Sequence, residues 1–282
     1  HGIFWEANVN VVNCTVLYNR CQRKGWGGIE VAYPAETYGT YENITNCIFS
    51  GNVYDLRGCR ATYSAMTYAD EGEGNIAKDP QFHVYATCEV EAVDHLNDTS
   101  TIACKEHMGE QNQYEHMFAR VQSDAPVALV AANVGNELLC YGYVSEEFVG
   151  HTLEITDFSL SEESPCIDAG NNEAEYLPEQ DKAGAFRVYR GRDEWRVDMG
   201  AYEYGSRRFA MSAVEPTAEP GHLKLTWNSQ DLPGKTYSIH FSPEMLTWIL
   251  GASNIPSRGD STSWVDPDAS AFRRRFYMIS SP

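Results

Sequence analysis

The stretch NVVNCTVLYN at residues 10–19 returns as NITNCIFSGN at residues 43–52. Asn10, Asn13, Cys14 and Asn19 recur as Asn43, Asn46, Cys47 and Asn52, with apolar or β-branched residues in the slots between. A fixed period of this size marks stacked repeats: one turn of chain cannot bury its own apolar face, and the next turn covers it. Around each copy apolar and polar residues alternate with period two, as Val9 and Val11, then Cys14 and Val16, illustrate, and this alternation predicts short strands. Asparagine tolerates left-handed backbone, so Asn13 and Asn46 predict matching corners between two strands. Stacking then sets Val11 over Ile44 and Cys14 over Cys47, and GIEVAY at 28–33 supplies a third strand. The simplest architecture is all-β, a right-handed parallel β-helix. Two visible repeats fall short of the three or more a solenoid needs, so further coils are expected ahead of residue 1 and the chain reads as a fragment or a processed product.

Further along, GNIAKDPQF at 74–82, SPCIDAG at 164–170 and DMGAYE at 198–203 follow the Asn46–Asn52 rung. Together these motifs resemble the ends of bacterial surface β-helix proteins of the choice-of-anchor Q type, over residues 1–83 and 158–205. The resemblance implies C-terminal coils in 1–83 and an end cap in 158–205 that closes the open end of the helix. It also implies an extracellular or cell-surface location. The segment 84–157 departs from that family's pattern; VALVAANV, ELLCYGYV and TLEITDF within it read as strands of a β-rich insertion.

Beyond Tyr204, Pro216, Pro220 and Gly221 mark a linker over 206–221. Short apolar runs separated by turn residues then predict a small β-sandwich over 222–282. Its landmarks, Leu225 to Trp227, Pro233 to Tyr237, Thr247 to Trp248 and Arg274 to Tyr277, are similar to fibronectin-III-like modules that close secreted proteins of planctomycete and verrucomicrobial bacteria.

Forty acidic against 21 basic residues give a formal charge of -19. Such a surface repels phosphate backbones, so nucleic acid is not an expected partner. No apolar run approaches the roughly 20 residues of a membrane helix. Eight cysteines without a CxxC pair argue against a zinc ribbon, and an even count permits disulfides in an oxidising compartment. The candidate pairs are Cys21 with Cys59 and Cys88 with Cys104.

Candidate sites are few. The machinery of β-helix glycosidases, two carboxyls about 5–9.5 Å apart across a scissile bond, is not recognisable in the motifs present. Clustered carboxylates suit Ca²⁺, which takes six to eight oxygens. Asp70, Glu71 and Glu73 form one such candidate set; Asp168 and Asp198 form a second, with turn capping as the competing role. Trp227, Trp248 and Trp264 are candidates for a sugar-stacking platform, against the alternative that they fill the sandwich core. The reading as a whole is an extracellular or cell-surface structural or adhesive protein. Its expected partners are polysaccharide or other copies of itself, and no catalytic site is assigned to the chain. The alternative is the C-terminal part of a secreted polysaccharide lyase or glycoside hydrolase whose active site lies upstream of residue 1.

Overall fold

The computed structural model describes residues 9–19, 27–30, 42–68, 71–121, 128–192, 194–230, 232 and 234–281. The fold is all-β, in two compact units: His1–Glu179 with Arg190–Tyr204, and Gln180–Tyr189 with Gly205–Pro282.

The first unit begins with three parallel strand pairs. β1 (Val9–Val12) pairs with β4 (Glu42–Thr45), β2 (Thr15–Leu17) with β5 (Ile48–Ser50), and β3 (Ile29–Glu30) with β6 (Leu56–Arg57). Val11 lies opposite Ile44, the register the repeat predicts. Asn13 and Asn46 turn the chain between strands with φ of 50° and 55°, the left-handed values expected of these corners.

The stack continues past the second repeat. Asn13 N–H donates to Thr45 O, Asn46 N–H to Thr62 O and Tyr63 N–H to Glu73 O, so one corner hydrogen bond recurs from layer to layer. Thr62 and Ala65 bridge Thr45 and Ile48 from 17 residues ahead, and Ile76 bridges Ala65 from 11 ahead. The layers therefore shorten as the chain advances. Inside, Val11, Ile29, Ile44, Cys47, Phe49, Ala61 and Met66 form one apolar cluster.

Because side chains alternate across a strand, Ile48 points away from that interior while Phe49 points into it. Ile48 is nonetheless buried, against Phe82, Phe158, Leu160, Cys166, Ile167 and Met199. Covering such a side chain stabilises by about 1.5–3 kcal/mol. The cover comes from the two terminal motifs. Gly200 N–H donates to Asn46 O, Ala201 N–H to Thr15 Oγ1, Asn171 N–H to Asn46 Oδ1, and Asn13 Nδ2 to Asp198 O. SPCIDAG and DMGAYE thus lie along the flank of the first two layers, not across the end of the stack as the end-cap expectation had it. The reason is the outward apolar row begun by Ile48, which needs covering on the flank. At Gly200 (φ 96°) a Cβ would come within 2.6 Å of Ile48 Cδ1, so the close approach requires glycine.

Residues 84–157, expected only as strand-rich, close into a six-stranded antiparallel barrel. Its strands are β7 (Ala86–Leu96), β8 (Thr99–Cys104), β9 (Phe118–Val121), β10 (Ala128–Val134), β11 (Glu137–Tyr141) and β12 (Thr152–Thr156), in the order β10-β11-β8-β7-β12-β9. β9, β10 and β11 form a meander and β12 returns beside β9, the Greek-key arrangement. Inward residues including Val90, Ile102, Val130, Leu138, Leu153 and Ile155 fill the barrel. A disulfide joins Cys88 to Cys104 between β7 and β8, Cα atoms 5.7 Å apart. Over the barrel, buried Asn133 donates to Met108 O and Glu110 O and accepts from Tyr114 N–H, pinning the loop between β8 and β9.

The second unit has two three-stranded antiparallel sheets. β13 (Met211–Pro216), β14 (Leu223–Asn228) and β17 (Ser261–Asp266) form one; β16 (Ile249–Pro256), β15 (Thr236–Ser242) and β18 (Phe276–Ser280) form the other. Leu225 and Trp227 from the first sheet meet Tyr237, Ile239 and Ile255 from the second in a shared core. Two boundaries differ from expectation. β13 occupies the stretch marked as a linker; its side chains are mostly exposed, so backbone pairing with β14 holds it and no alternation announces it. Residues 180–189, expected within the end cap, belong to this unit, with Phe186 against Phe209 at 5.8 Å between ring centroids and Val188 O accepting from Gln230 Nε2.

Candidate functional site

Between the layered strands and the barrel, within the first unit, runs a groove of about 1070 Å³. One wall is the end of β2 and β5 with the turns after them, Tyr18 and Ser50 to Val53. A second is the segment Ala77 to Phe82, and the third is the outer face of β9 and β12.

The repeat shapes the first wall. Tyr18 (φ 52°) and Gly51 (φ 66°) occupy equivalent positions in successive layers. A Cβ at Gly51 would come within 2.4 Å of the Tyr18 ring, so glycine lets that ring lie flat over the next layer. Asn52 Oδ1 accepts from the Asn19 N–H and Nδ2, and Asn52 Nδ2 donates to Val16 O and Asp55 Oδ1, which fixes the turn.

On the barrel wall, alternation turns Ala119 and Val121 inward and leaves Arg120 on the outside, directly opposite Glu154 of β12. Arg120 Nε and Nη2 contact Glu154 Oε2 at 2.9 and 2.8 Å, and Nη1 donates to Tyr18 Oη at 3.0 Å. The guanidinium carbon sits 6.0 and 5.9 Å from the ring centroids of Phe82 and Phe158. With side chains only 17% and 12% exposed, Arg120 and Glu154 satisfy each other, and their charges cancel at the groove floor. In the segment wall, Asp79 Oδ1 accepts from Gln81 N–H and Ser164 Oγ donates to Pro80 O, tying SPCIDAG to the groove.

Chemically, the groove offers neutral hydrogen-bonding groups from Ser50, Thr67, Gln81 and Ser161 and the exposed ammonium of Lys78 beside the half-buried Tyr18 ring, while Phe82 beneath is 6% exposed. Its two carboxylates, Asp79 and Glu154, are both held in structural bonds. None of these residues stands out in sequence. Arg120 and Glu154 show only as charged residues between apolar neighbours, FARV and TLEIT, and their meeting requires the strand register.

The residues singled out from sequence lie elsewhere. Trp227 is fully buried, edge-on to Tyr237 at 5.6 Å, so its ring faces are closed to a sugar. Trp264 packs against the same core, and Trp248 is half-buried ahead of β16; the three form no platform. For the second carboxylate set the structure shows the capping role. Asp168 accepts the Gly191 and Arg192 N–H groups, and Asp198 accepts the Asp168 and Tyr204 N–H groups at 2.7 and 2.6 Å. Both carboxylates therefore cap backbone and clamp the two terminal motifs together. Glu73 accepts from the Tyr63 hydroxyl, Glu71 is exposed, and Asp70 lies outside the described residues. Among the described residues no three His, Cys, Asp or Glu side chains are grouped to hold a metal ion.

Among the candidate cysteine pairs, Cys88 and Cys104 are joined, whereas Cys21 lies outside the described residues, so its pairing with Cys59 does too. Burial pushes the Cys166 thiol in SPCIDAG up to about 12, and the Cys140 thiol in the barrel likewise. No helix among the described residues is long and apolar enough to cross a membrane. Comparisons of the chain with protein-family models, curated proteins and solved structures return no match.

Proposed function

We propose that this chain is part of a secreted or cell-surface structural or adhesive protein, in which parallel β-helix layers and an inserted barrel form a groove that holds polysaccharide. The observation that carries the reading is the groove itself. It is open, lined by hydroxyls and amides beside the Tyr18 ring, and fixed by the Tyr18–Arg120–Glu154 contacts. Glycan sites combine apolar ring surface with a few placed polar groups, and a rigid wall lowers the ordering cost of binding.

Other features support the setting. The Cys88–Cys104 disulfide suits an oxidising compartment. In-register parallel pairing and the recurring corner hydrogen bond support the β-helix reading. Two facing three-stranded sheets support a fibronectin-III-like module.

The test is affinity electrophoresis of the full chain through gels containing single soluble polysaccharides, neutral and acidic. At least one should retard it, and replacing the exposed groove residues Lys78 and Gln81 with Ala should reduce that retardation. Free migration through every gel would remove the reading.

A further inference from the structure

Tyr143 follows β11 beside the turn of the β7–β8 hairpin and is not among the residues that line the groove. Tyr143 is 71% exposed. One face of that ring is covered by the His95 imidazole, the centroids 4.3 Å apart and the planes 18° from parallel. Beneath the pair sits Ser100, fully buried. Its hydroxyl donates to Gly142 O at 2.7 Å, accepts from Val144 N–H at 2.9 Å and contacts His95 Nδ1 at 3.0 Å. One hydroxyl therefore fixes both the residues flanking Tyr143 and the imidazole beneath it. Gly142 N–H also donates to Asp98 O, which ties the turn of the β7–β8 hairpin, with its exposed Asn97 and Asp98, to the residue before Tyr143.

We infer that Tyr143, backed by His95, with Asn97 and Asp98 on the adjoining turn, is a platform on which one pyranose ring of a neutral polysaccharide stacks, separate from the groove. The backing imidazole leaves a single open aromatic face, which matches the apolar C–H face of a sugar ring. The turn tied to Gly142 carries an amide and a carboxylate, Asn97 and Asp98, the groups that bond sugar hydroxyls. Because Ser100 fixes the backbone on both sides of Tyr143 and the imidazole that covers its ring, less conformational freedom remains to be lost on binding. A neutral chain is favoured because the protein carries a formal charge of -19 and the turn tied to Gly142 holds Asp98. The ligand class rests on the polysaccharide reading; the site does not depend on the groove.

The experiment compares the full chain with Tyr143→Ala, Tyr143→Phe, His95→Ala and the groove double variant K78A/Q81A. Binding is measured by affinity electrophoresis and calorimetry against soluble glucomannan, xyloglucan and mixed-linkage glucan, with light scattering on each variant. Tyr143→Ala should weaken binding about two- to tenfold while Tyr143→Phe retains it. His95→Ala, which frees the ring, should fall between them. Tyr143→Ala binding like wild type while the groove variant loses affinity would overturn the platform and leave the groove reading standing. A change in oligomeric state on Tyr143→Ala without a change in glycan affinity would make this surface a contact between copies and also overturn it. Absence of binding by the wild-type chain would remove both.

Discussion

Asn46 donates from Nδ2 to Oδ1 of Asn13, its counterpart one repeat earlier, at 3.3 Å. The same amide donates to Asn171 O and accepts from Asn171 N–H. One fully buried side chain thus links two layers and the flanking motif. Replacing Asn46 with Ala removes these bonds and puts a non-glycine residue without a side-chain partner at φ 55°. We expect a loss of about 3 kcal/mol in urea unfolding, and a smaller loss for Asn46→Gly, which relieves the backbone but not the bonds.

Arg120→Met leaves Glu154 without its cation at a site 12% exposed, and Tyr18 Oη without its donor. The expected cost is roughly 2–4 kcal/mol. The double variant R120M/E154L should recover much of it, because no charge is then left stranded. Equal instability of the single and double variants in chemical denaturation would contradict this account.

Reducing Cys88–Cys104 opens a loop of sequence separation 16 inside the barrel. Loops of this size stabilise by about 3 kcal/mol when closed. Hydrogen exchange at β7 and β8 should accelerate in reductant, while the layered strands around Asn46 exchange as before.

In the second unit, burial and a 2.7 Å hydrogen bond to buried Asp266 push the Tyr277 hydroxyl well above the usual tyrosine range. The folded state therefore keeps this proton where the unfolded chain releases it. Its contribution is fully present below about pH 10 and is lost as pH rises through the raised folded value. Tyr277→Phe should flatten the alkaline limb of the stability–pH curve of the unit; an unchanged limb would show that another group controls it.

Cys140 and Cys166 have thiols pushed up to about 12 by burial. Thiolate is the reactive form. At pH 8 both should resist iodoacetamide in the native chain and react only after denaturation, as mass spectrometry of digests would show.

The first two layers are legible in sequence because identical corners and interior slots recur at one spacing. The third is harder to see, since Tyr63 replaces asparagine at the corner (φ 46°) and the spacing contracts. The barrel is only half legible. Alternation marks β10, β11 and β12, but a strand's own residues do not name its neighbour, and closure depends on β12 pairing with both β7 and β9. The same limit hides the groove, since Tyr18, Arg120 and Glu154 meet only after the barrel has closed. Tryptophans in the sandwich left two roles open. Aromatic surface suits both a sugar and a core, and Trp227 faces inward because its strand position does.

Successive corners at Asn13, Asn46, Tyr63 and Gly74 draw closer along the chain, and this gives the ladder a polarity. Equal layers template one another without limit, which is how fibrils lengthen. Here each layer presents the next with a shorter template, until Ile76 contributes a single bridge where β4 and β5 contributed whole strands. The taper thus leaves the far end of the ladder with fewer backbone partners to offer than its start.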